Sequence, residues 1–140
     1  MKTKESPRGI SRQGLDSAFE ADERRKSNLL LTARSLREEG KSEESANTFA
    51  EVAEIEERLS SLCEEAGLPE KAIVHRFSAA GCWAQAGDFY HAIAMCDSLL
   101  SGLQGSHRMY SHIEGFVQAL RIRRSQWYAS LEVEESVRGV

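Results

Sequence analysis

Apolar residues recur along this chain at intervals of three and four, the period of a helix with one buried face. Within residues 42–66, Val52, Ile55, Leu59, Leu62 and Ala66 step by three and four without a break, with Phe49, Ala53 and Cys63 beside them. Glu51, Glu54, Glu56, Glu57, Glu64 and Glu65 fall mainly off that stripe and read as its solvated face. Four other segments carry the same period. Leu15, Ala18, Phe19, Leu29, Leu30, Ala33 and Leu36 mark a first helix, capped by Asp16 or Ser17 and ending at Gly40, read as one helix through its polar middle in preference to a restart at Ser27 or Asn28. Ala72, Ile73, Phe77, Ala80 and Trp83 mark a third helix, and Ala92, Ile93, Cys96, Leu99 and Leu100 a fourth. The fifth carries Ile113, Phe116, Val117, Leu120, Trp127, Tyr128 and Leu131.

The breaks between these segments are brief. Gly67 closes the second helix, Pro69 suits the first helical position of the third, and Asp88 suits the N-cap of the fourth. Short connections force neighbouring helices to run antiparallel. The pattern therefore predicts an all-α fold of antiparallel helical hairpins, about five helices in one domain over residues 15–132. The fifth helix would cap the open end of the last hairpin. Residues 1–14 are polar and basic, with Pro7, Gly9 and Gly14, and read as a flexible tail; residues 133–140 read as a fraying C-terminus.

Residues 76–100 carry a finer pattern. A small residue, Ala80, is followed three positions on by an aromatic one, Trp83. Gly87-Asp88-Phe89 then makes a turn, and Ala92 stands early in the next helix. This stretch resembles the tetratricopeptide repeat family, with Cys96 and Leu99 in place of the usual aromatic and alanine. A fainter copy uses Ala33, Leu36, Gly40, Ser45 and Phe49. The two turn glycines are 47 residues apart, against a regular repeat of about 34. The resemblance implies hairpins that cross closely at Ala80, Trp83, Gly87 and Ala92. It also implies a recognition surface on the first helix of each pair.

Charge narrows the function classes. The net charge is −4, and residues 15–66 hold fourteen acids against seven bases. An acidic middle lacks the clustered positive charge that nucleic-acid phosphates require. Three cysteines, Cys63, Cys82 and Cys96, form no C-x-x-C pair and lie in apolar helical patterns, as buried thiols of a reducing cytoplasm do. The first residues have no apolar core, so no signal peptide is expected, and the longest aliphatic run, Leu29-Leu30-Leu31, is far too short to span a membrane.

Candidate chemistry is thin. His75, His91, His107 and His112 include no pair four apart, so no metal is expected. No phosphate-cradling glycine loop is present, and no cofactor is expected. Cys82 and His75, seven apart on one helical face, are the best nucleophile pair on offer, but they read more simply as packed side chains. Trp127 and Tyr128 beside Arg121, Arg123 and Arg124 read as core aromatics flanked by solvated arginines. The expected function is a non-catalytic protein–protein interaction module, an adaptor or scaffold holding a peptide or helix of a partner. The surface expected for it includes Arg34, Arg37, His75, Ser78 and Gln85. A small assembly or secretion chaperone is an alternative, as is a homo-oligomeric subunit joined through the long second helix.

Overall fold

The computed structural model describes residues 16–138, so the tail expected at 1–14 lies outside it. The described residues form five helices: α1 (Ser17–Glu38), α2 (Ser42–Glu65), α3 (Pro69–Gln85), α4 (Phe89–Gly102) and α5 (Tyr110–Arg138). The fold is all-α, and each helix packs mainly on the helices before and after it in sequence. Helix α5 runs past residue 132, through the segment read from sequence as fraying.

Each start has a local cause. The Asp16 carboxylate accepts from the Phe19 amide at 3.0 Å and caps α1. Asp88 does the same for the His91 amide and caps α4. Pro69 opens α3, where its missing N–H costs nothing. Helix α2 starts without a side-chain cap, but Glu43 and Glu44 sit in its first turn and favour the helix dipole.

The first three connections are one device used three times. Gly40, Gly67 and Gly87 have φ of +81°, +76° and +87°, the left-handed region that a side chain disfavours. At each, the glycine amide donates three residues back and the next amide five residues back. Gly40 donates to the Arg37 carbonyl and Lys41 to Leu36; Gly67 donates to Glu64 and Leu68 to Cys63; Gly87 donates to Ala84 and Asp88 to Trp83. This is the Schellman closure, which satisfies the last carbonyls of the outgoing helix. The next helix begins two residues after each glycine.

Small residues flank each closure at fixed offsets. Ala33, Ser60 and Ala80 precede their glycines by seven; Ser45, Ala72 and Ala92 follow by five. All six are buried. Where a serine takes one of the places, its hydroxyl crosses the junction: Ser45 Oγ donates to the Ala33 carbonyl at 2.8 Å, and Ser60 Oγ to the Ala72 carbonyl at 2.9 Å. At the third junction both places are alanine. A donor that close to a neighbouring helix's carbonyl requires near backbone contact, which only small side chains permit. The resemblance to two spaced repeats overlooked the junction at Gly67.

Contacts beyond the neighbours give the array two sides. The Phe19 ring meets His75 edge-on at 5.8 Å, joining α1 to α3, and Phe77 meets Phe116 at 5.3 Å, joining α3 to α5. On the other side, His91 Nε2 lies 3.3 Å from Glu57, joining α4 to α2. Two apolar clusters result. One holds Phe19, Ile55, Leu59, Cys63 and Ala72 from α1, α2 and α3; the other holds Ala80, Ala92, Ile93, Cys96, Leu99, Ile113, Val117 and Leu120 from α3, α4 and α5. Helix α3 serves both. Helix α2 is enclosed by its neighbours, with nine buried residues from Ser45 to Cys63. The stripe that would have joined two copies through α2 is spent inside the monomer.

Candidate functional site

Four titratable side chains from three helices form a ring with a buried centre. Glu56 of α2 and His75 of α3 are 5% and 6% exposed. Glu56 Oε1 lies 2.7 Å from His75 Nδ1. An ionised carboxylate only accepts, so that nitrogen carries the proton. Lys26 of α1 reaches Glu56 at 3.5 Å and Glu23 at 3.0 Å; Glu23 closes the ring, 3.6 Å from His75 Nε2. Burial pulls the Lys26 ammonium toward neutrality, but the Glu23 hydrogen bond and the Glu56 charge outweigh it and raise its pKa. Lys26 therefore stays charged and matches the buried Glu56.

Two expectations are corrected by this ring. Glu56, read as part of a solvated face, is buried because Lys26 and His75 come to it from two other helices. His75, expected on a partner-binding surface, has both ring nitrogens turned to carboxylates inside the array. The thiol of Cys82, its proposed companion, is pushed up to about 11, first by burial and then by the Glu56 charge. It is protonated at neutral pH and a poor nucleophile. Burial holds Cys96 at about 11 as well.

The other expected surface residues are scattered. Arg34 and Gln85 are exposed and Ser78 is half-buried. Arg37 is exposed overall, but its guanidinium lies over the Phe49 ring at 4.9 Å and so packs onto α2. The positions expected at the helix crossing are brought together. Ala80 and Ala92 share one cluster, Trp83 packs against it, and Gly87 makes the turn. Trp83 is further fixed by its Nε1–H donating to Glu57 at 2.6 Å and by a stack on His91 at 4.2 Å.

The surface that stands out is one the sequence placed inside. Helix α4 has 14 residues and α5 has 29. Arg123 lies over the ring of Phe89, the first residue of α4, at 5.3 Å. Beyond that point α5 has no α4 beside it, and residues 125–135 are all exposed. The buried stripe of Ile113, Val117 and Leu120 continues at helical spacing into Arg124, Trp127 and Leu131, with Tyr128 alongside. Trp127, Tyr128 and Leu131 are 54%, 55% and 40% exposed. They are not the core aromatics expected from the period, and the outer half of α5 caps nothing. An open cleft of about 530 Å³ adjoins this face, lined by Gly87, Phe89, Arg123, Gln126, Trp127 and Ser130. The signal that could have found this surface is length. A stripe from 113 to 131 spans about 27 Å, and a 14-residue helix covers only about 21 Å.

No protein-family model, curated protein or solved structure matches this chain. Among the described residues, no group of three His, Cys, Asp or Glu side chains is placed to hold a metal ion. No described helix is long and apolar enough to cross a membrane.

Proposed function

We propose that the protein is a non-catalytic interaction module, a tetratricopeptide-like adaptor that docks another polypeptide on the outer half of α5. The observation that carries this is the exposed run of Trp127, Tyr128 and Leu131, continuous with a stripe that is buried two turns earlier, at Leu120. Trp and Tyr are the residues that dominate protein–protein contacts, because each offers a large rigid apolar face at little entropic cost. The adjoining cleft adds a concave wall of Phe89 and Trp127 with one arginine. The tetratricopeptide-like part of the reading rests on the residue pattern of Ala80, Trp83, Gly87-Asp88-Phe89 and Ala92. Three free cysteines suit a cytoplasmic setting.

Photo-crosslinking tests this. A benzophenone amino acid at Tyr128 is expected to give covalent adducts with polypeptide in living cells. The same label at Glu43, exposed on α2, is expected to give none. Adducts should vanish when Trp127→Ala and Leu131→Ala are combined with the label. Absence of adducts from position 128 would remove this surface from the account.

A further inference from the structure

We propose that the occupant of the outer face of α5 is a second copy of this chain, laid antiparallel across it. This rests on the reading of that face as an interaction surface and names its partner. Five residues share the face at helical spacing: Arg124, Trp127, Tyr128, Leu131 and Glu135. Its ends carry opposite charge and its middle is apolar. Neither Arg124 nor Glu135 has an ion-pair partner among the described residues.

The order of four of these residues is self-complementary, and Trp127, whose counterpart is Glu132, lies at the edge of the seam. Turn the helix end for end about a point between Ala129 and Ser130. Arg124 then falls opposite Glu135, Tyr128 opposite Leu131, and the reverse pairs follow by symmetry. A twofold interface has this property: residue i meets j, and j meets i. A parallel pairing would set Arg124 against Arg124 and Glu135 against Glu135, which like-charge repulsion disfavours. Antiparallel pairing gives two cross-copy ion pairs and covers the Trp127, Tyr128 and Leu131 side chains from water in the same step. Those three expose on the order of 300 Å² in each copy. An interface of that size belongs to the weak, concentration-dependent class.

Sedimentation velocity on the full chain, from about 5 to about 500 μM, reads this association. The wild-type chain is expected to shift from monomer to dimer across the series. Arg124→Glu and Glu135→Arg are each expected to weaken dimerisation by about tenfold or more, since each sets like charges face to face twice. The double variant, R124E with E135R, restores both pairs in reversed sense and is expected to return to within about threefold of wild type. Leu131→Glu is expected to keep the chain monomeric throughout. Circular dichroism checks that each variant remains helical, and E135R, at an exposed position, carries the charge test by itself if R124E unfolds. A strict monomer at the highest concentration overturns the proposal. So does a dimer indifferent to the single charge reversals, or one weakened by them and not restored by the double. The crosslinking separates the two readings. Adducts from position 128 that contain only other proteins leave the docking surface standing and remove the second copy as its occupant.

Discussion

Replacing Glu56 with alanine is expected to lower the unfolding free energy by about 3–5 kcal/mol. For a domain of this size that is a drop in melting temperature of roughly 10–17 °C. The cost comes from what is left behind. Lys26 and His75 were both turned toward this carboxylate, at 3.5 and 2.7 Å, and His75 has almost no access to water. Without Glu56 the Lys26 ammonium keeps only the Glu23 pair, and His75 Nδ1 loses its acceptor. Glu23→Ala removes the outer member of the same ring. Its side chain is 35% exposed, so water replaces much of what is lost and the expected cost is below about 1 kcal/mol. Thermal melts of the two variants side by side check the contrast. Equal costs would mean that the ring is solvated throughout.

Replacing Ala92 with leucine is expected to destabilise the chain by about 3 kcal/mol, the upper part of the range for overfilling a packed core. Ala92 and Ala80 are both fully buried in one cluster, where α3 and α4 cross. At the two equivalent junctions a serine hydroxyl spans the gap to the opposite helix's carbonyl in a single hydrogen bond. Three further carbons at this spacing force the helices apart. Separation also disturbs Trp83, which packs on the same cluster and stacks on His91, one residue before Ala92. Ala129→Leu, the same change on the exposed part of α5, is expected to alter stability by less than about 0.5 kcal/mol. Urea unfolding of both variants measures the difference.

Much of the fold was legible in the residues, and the reasons for the gaps are specific. Five helices with brief breaks follow from spacing, glycine and proline alone, because those signals act within a few residues. The junction at Gly67 escaped as a repeat because Gly67-Leu68-Pro69 replaces the glycine–acid–aromatic turn. Its small residues, Ser60 and Ala72, nevertheless hold the same offsets as the others. Glu56 escaped because burial of a carboxylate is decided by its partners. Lys26 lies thirty residues away in sequence and His75 nineteen. The one-turn neighbours of Glu56, namely Val52, Ala53 and Leu59, set it beside the apolar stripe, unlike Glu54, but spacing alone does not supply the partners that burial of a charge needs. Trp127 and Tyr128 were misplaced for a different reason. Helical period tells which face is apolar; it does not tell how far the neighbouring helix reaches. That answer lies in the ratio of two lengths, α4 against α5.

The proposed docking role requires that the outer half of α5 be surplus to the fold. The unfolding free energy of the Trp127→Ala, Leu131→Ala double variant tests it most directly, measured by urea at a low concentration where the chain is monomeric. The account predicts a value within about 0.5 kcal/mol of the parent. A loss of about 3 kcal/mol or more, as truncation of core side chains gives, would show that these residues are part of the packed interior and contradict it.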